Sequence, residues 1–177
     1  MARPRSLLRG AVVLGALLIL AAAVLRPGRV PPRREPPAPP RLVGPEGLEL
    51  TDGPLLLDRI SRTRARGVVV AAWASWCASC KADLPLVLGL RERFGGAIEV
   101  LLVSVDEPET RPRAAAMLAE LGATDRGLVV EGRLGPFKAA MTPRWPGMLP
   151  ATFLFDPRAQ LRHWWGGPVL EDEIVPL

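Results

Sequence analysis

The chain is 177 residues long, 49% hydrophobic and 23% charged, with 2 cysteines, 1 histidine and a formal net charge of +5. Two cysteines exclude a disulfide-stapled scaffold, and one cysteine pair with a single histidine falls short of the four ligands usual in a structural zinc site. The basic charge is not that of a nucleic-acid binder: residues 1–46 carry eight arginines against Glu35 and Glu46, giving +6, whereas residues 47–177 carry 15 basic and 16 acidic side chains, giving −1.

Residues 1–26 open with Arg3, Arg5 and Arg9 and continue as an apolar run from Gly10 to Leu25. This is the form of a signal anchor or a signal peptide, and either implies export. The run is at the short end for a membrane span of about 20 residues, and Ala21-Ala22-Ala23 offers small residues to a peptidase. The segment has no cysteine, which excludes lipoprotein processing. Residues 27–46 hold eight of the 20 prolines with Arg29, Arg33, Arg34 and Arg41. They read as an extended linker that meets anionic headgroups rather than nucleic acid.

Residues 47–177 suffice for one domain with one core, expected to be monomeric. Arg59, Arg62, Arg64 and Arg66 follow Leu55-Leu56-Leu57 as a solvated helix face. Val68 to Trp73 then reads as a buried strand, and Lys81 to Phe94 carries Leu84, Val87, Leu88 and Leu90 at helical spacing before Gly95-Gly96. Cys77 and Cys80 sit at the junction between them, where unpaired N–H groups and the helix dipole favour a Cys77 thiolate below the ordinary thiol pKa of about 8.5. A bridge between them closes so short a loop that it constrains the unfolded chain little. Redox chemistry is the better reason for the pair. A further strand, a helix over Glu109 to Leu121, a short strand over Leu128 to Val130 and a helix over Leu134 to Met141 follow, then two strands joined at Asp156-Pro157-Arg158-Ala159. That order implies an α/β fold, with helices on both faces of a central sheet and a closing antiparallel hairpin.

Trp73-Ala74-Ser75-Trp76-Cys77-Ala78-Ser79-Cys80-Lys81-Ala82-Asp83-Leu84-Pro85 resembles the W-x-x-W-C-x-x-C-x-x-E-x-P signature of TlpA/ResA-type thioredoxin-like proteins. Val103-Ser104-Val105-Asp106-Glu107 is similar to that family's next strand end, and Leu149-Pro150-Ala151-Thr152-Phe153 to its cis-proline strand. The resemblance covers about residues 47–168. It implies a thioredoxin-like fold, a mixed sheet flanked by helices, with the TlpA/ResA-type insertion between residues 106 and 149. Nothing resembles the T-x-x-C loop of the related peroxiredoxins.

By this resemblance Cys77 is the nucleophile of a redox-active disulfide and Cys80 the resolving thiol. Asp83, three residues past Cys80 on one helical face, is the expected proton acceptor, shorter than the family's usual Glu. Trp76, Leu149 and a cis Pro150 are expected to meet an extended substrate strand. The chain departs from the pattern elsewhere too, as in the Asp156-Pro157-Arg158-Ala159 hairpin, which lacks the usual glycine. Ser79 replaces a common proline, and Ala71 stands where thioredoxin keeps a buried Asp, leaving Asp83 as the only nearby acid. Gly147-Met148-Leu149-Pro150 is one residue longer than the usual G-x-P, and the C-terminal helix is short or absent. Trp145 reads equally as core or as a groove wall beside Trp76, and His163 as structural.

The resemblance therefore implies a thiol–disulfide oxidoreductase, of protein-disulfide reductase type, that needs no cofactor or metal. It implies an uncleaved anchor in the bacterial inner membrane with the domain on the periplasmic side, or a periplasmic protein if the signal is cut. Expected partners are protein disulfide or dithiol substrates such as apocytochrome c or copper-site proteins, and a DsbD/CcdA-type membrane electron donor. A Cu(I)-binding metallochaperone is the competing reading, since soft thiolates favour Cu(I), and a redox-inert thioredoxin-like binding module is a third.

Overall fold

A computed structural model of the protein describes residues 40–169. The apolar segment 1–26, most of the linker and the C-terminal residues 170–177 lie outside the described residues. Among the described residues no helix is long and apolar enough to cross a membrane.

Six strands form one mixed sheet, β1 (Glu49–Thr51), β2 (Gly67–Trp73), β3 (Ile98–Ser104), β4 (Gly127–Val130), β5 (Ala151–Phe155) and β6 (Leu161–Gly166), in the order β1-β4-β3-β2-β5-β6. The helices are α1 (Gly53–Ser61), α2 (Ala78–Arg93), α3 (Arg111–Glu120) and α4 (Leu134–Met141). β1, β4, β3 and β2 run parallel, while β5 is antiparallel to β2 and to β6.

β2 is an unbroken apolar run because both of its faces are covered, and all seven of its residues are buried. Val69, Ala71 and Trp73 pack with Leu84, Val87 and Leu90 of α2 and with Ala114 and Leu118 of α3. Val68, Val70 and Ala72 join the opposite layer with Leu56 and Ile60 of α1, Phe137 and Met141 of α4, and Trp145. Gly127 lets α3 come this near the sheet, since a Cβ there would lie 2.3 Å from Leu118 Cδ1. Trp145 is thus core: its ring meets Phe137 and Phe153 edge to face, and its Nε1 donates to the Met148 carbonyl at 2.9 Å.

The basic stretch is not a solvated helix face throughout. Arg59 is only 17% exposed and pairs with Glu49 and Glu99, and Arg62 pairs with Asp58, while Arg64 and Arg66 lie beyond the end of α1. β1 has no sequence periodicity to announce it; three residues become a strand through pairing with β4, Leu50 opposite Val129. Residues 42–50 already form a turn against it, with Leu50 N–H donating to the Leu42 carbonyl at 2.7 Å. The β5–β6 turn lacks glycine because Asp156 Oδ1 accepts from the N–H groups of Arg158 and Gln160, and Ala159 takes the left-handed position at φ 56°.

Candidate active site

The parallel strands β2 and β3 both end at the edge of the sheet where the cysteine pair lies. Past Trp73 the chain turns through residues 74–76 and enters α2 at Ala78, with Cys77 as the extended N-cap residue. Cys77 N–H donates to the Ala74 carbonyl at 3.1 Å, and Cys77 Sγ accepts the Cys80 N–H at 3.2 Å. One of the helix's unsatisfied donors therefore points at sulfur, and no acid stands in the first turn to oppose the positive helix end. Ser79 Oγ lies 3.4 Å from the same sulfur, a hydroxyl that a proline at this position lacks.

Cys77 and Cys80 form a disulfide, their Cα atoms 5.3 Å apart. Cys77 keeps 8% exposure and Cys80 none, so an incoming thiol or disulfide meets Cys77 first. Trp76, 58% exposed, stands beside it. The Leu149–Pro150 bond is cis, and β5 begins directly after it with Ala151 opposite Ala72 of β2. Leu149 and Pro150 therefore belong to the sheet edge that carries the cysteines. Leu149 is half-buried and packs against the cluster that contains both sulfurs. Its neighbour Met148 is exposed and lies across Gly166, where a Cβ would come within 2.2 Å of the methionine sulfur. His163 lies within β6 opposite Leu154, its ring 5.6 Å from that of Trp165.

Asp83 is buried within α2 and accepts the Val169 N–H at 2.6 Å. Burial pushes its carboxyl above the ordinary carboxylate range, and the bond from Val169 opposes that shift in part. A carboxyl held this way keeps its proton to higher pH, which suits a group that gives and takes one. It is not the only acid near the pair. Asp106, just past β3, is equally buried and accepts from Ser75 N–H at 2.8 Å, Ser75 Oγ at 2.6 Å and Ser104 Oγ at 2.7 Å. Sequence reasoning missed it because a Ser-x-Asp at a strand end looks like any polar turn. Only the nearness of Ser75, 31 residues earlier, makes it part of this region. Among the described residues no group of three or more His, Cys, Asp or Glu side chains is placed to hold a metal ion.

A Cys-x-x-Cys disulfide at a helix N-terminus after a buried parallel strand, beside a cis-proline loop, defines a thioredoxin-like thiol–disulfide oxidoreductase. No protein-family model matches the chain. Over 78 residues it is 37% identical to thioredoxin 1 of Chlorobaculum tepidum, covering 44% of this chain and 74% of that one. The chain belongs to the thioredoxin family. It is also 28% identical over 183 residues to the thiol:disulfide interchange protein DsbE of Allochromatium vinosum, covering 96% of this chain and 92% of the relative. The crystal structure of the exposed lipoprotein thioredoxin of Streptococcus pneumoniae shares the fold, with a TM-score of 0.52 at 21% identity, covering 65% of this chain and 84% of that one.

Proposed function

We propose that this protein is a TlpA/ResA-type protein-disulfide reductase, held at the bacterial inner membrane by residues 1–26 and working on the periplasmic side. The observation that carries the reading is the Cys77–Cys80 pair at the N-terminus of α2 with the buried Asp83 further along the same helix. The similarity to DsbE along nearly the whole chain supports it.

The Cys77 thiolate attacks one sulfur of a substrate disulfide, and the other substrate sulfur leaves with the electron pair of the broken bond. Cys80 gives its proton to the Asp83 carboxylate and attacks Cys77 Sγ, which releases the second substrate thiolate. The Cys77–Cys80 disulfide remains, two electrons having passed to the substrate. A membrane dithiol of the DsbD/CcdA type reduces it again. Trp76, next to Cys77, and Leu149 and Pro150, at the same end of the sheet, receive the substrate backbone as an added strand. Cysteines of apocytochrome c or of copper-site proteins are the substrates this reading favours.

Insulin reduction by the full-length protein tests it. Cys77→Ser abolishes turnover, and Cys80→Ser accumulates a mixed disulfide with substrate, seen by non-reducing electrophoresis. Equal turnover by wild type and Cys77→Ser overturns the reading.

A further inference from the structure

Asp106 takes no part in that thiol exchange, yet it grips the turn that presents Cys77. Ser75 donates to it twice, through its N–H to Oδ2 and through its hydroxyl to Oδ1. Ser104 Oγ donates to Oδ2, and Asp106 N–H donates back to Ser104 Oγ at 3.0 Å, so the carboxylate is anchored to the end of β3. Val105 N–H donates to the Trp73 carbonyl at 2.9 Å and ties the same strand end to the last residue of β2. Ser75, Ser104 and Asp106 are all buried, and hydrogen bonds to a buried carboxylate are stronger than those between neutral groups.

We propose that Asp106 and Ser75 are a positioning pair that holds Cys77 Sγ at the N-terminus of α2 and thereby sets both its reactivity and the redox equilibrium of the Cys77–Cys80 pair. Ser75 is two residues from Cys77, so their Cα atoms are at most about 7 Å apart. A loosened Ser75 moves the sulfur relative to the Cys80 N–H, and the favourable field of a helix end falls off within one turn. Neither residue touches substrate; both act through the backbone of residues 74–77. The inference rests on Cys77 being the nucleophile.

The test uses the reduced full-length protein and two readouts: the rate of Cys77 alkylation by iodoacetamide, and the dithiol–disulfide equilibrium against glutathione. Ser75→Ala removes one bond without changing charge; alkylation slows about fivefold and the equilibrium shifts about fivefold toward the disulfide, the effect of one such bond on the thiolate. Ser75→Thr restores the hydroxyl and returns both readouts to within about twofold of wild type. Ser104→Ala loses both of its bonds with Asp106 but neither bond from Ser75, so it lowers stability and moves both readouts less than Ser75→Ala does. If Ser75→Ala does not fold, Ser75→Val against Ser75→Thr makes the comparison at constant shape. Unchanged readouts in Ser75→Ala, or equal shifts in Ser104→Ala, overturn the proposal. With Cys77→Ser inactive, that result removes only the positioning pair; an active Cys77→Ser instead removes the reading beneath it.

Discussion

Two buried carboxylates stand near one cysteine pair, and they are held in different ways. Asp106 is 2% exposed and accepts three hydrogen bonds from two serines, one ahead of α2 and one at the end of β3. Asp83 is 3% exposed and among the described residues is given one bond, from the backbone of Val169, and its pKa is raised by burial. Equal burial thus serves opposite ends. A carboxylate surrounded by donors from separate elements is a tie, whereas one with a single donor and little solvent is a group whose charge is easily given up.

The largest expected difference between the two is in stability. Asp106→Ala leaves three buried donors without their acceptor and costs about 3–5 kcal/mol, while Asp83→Ala frees one N–H, removes a poorly solvated charge and costs about 1 kcal/mol or less. Urea unfolding of the oxidised proteins measures both. Equal losses break the contrast.

In kinetics Asp83 acts on a different step. Asp83→Asn slows the resolution of the mixed disulfide by about tenfold or more, because the amide cannot accept the Cys80 proton. Attack by Cys77, which depends on the helix end, stays within about twofold. Single-turnover reduction of a disulfide substrate separates the two phases. A variant whose resolution overlays wild type leaves Asp83 as a buried structural acid.

The smallest effect is the pH dependence of stability, and it sharpens the same point. A carboxyl with a raised folded pKa binds its proton more tightly folded than unfolded, so its contribution is full below the ordinary carboxylate value and is lost as pH rises through the folded value. Asp83→Asn removes that loss. The variant should gain on wild type in melting temperature between acid and neutral pH, and the two should converge below the ordinary carboxylate range. Parallel curves at every pH show that Asp83 titrates alike in the folded and unfolded chain, with no raised folded pKa.

The apolar run of β2 and the spacing of Leu84, Val87 and Leu90 by themselves place Cys77 and Cys80 at a strand-to-helix junction, because burial on two faces and a 3.6-residue period are local patterns. Asp83 is legible as a candidate by its offset from Cys80, but not as buried or as bonded to Val169, 86 residues further along the chain. Trp145 is undecided by its neighbours in sequence and is settled by Phe137 and Phe153, on two different elements.

Sequence alone therefore determined the place of the cysteine pair at a strand-to-helix junction, the alternation of strands and helices after residue 67, and the division of charge between tail and domain, all of which depend on residues close along the chain. Tertiary structure decided what Asp106 is, what covers Asp83, that residues 49–51 are a strand, and that Pro150 and Cys77 share one edge of the sheet. Each of these needs partners tens of residues apart, and a polar side chain or a three-residue segment carries no local mark of which distant donor or strand will meet it.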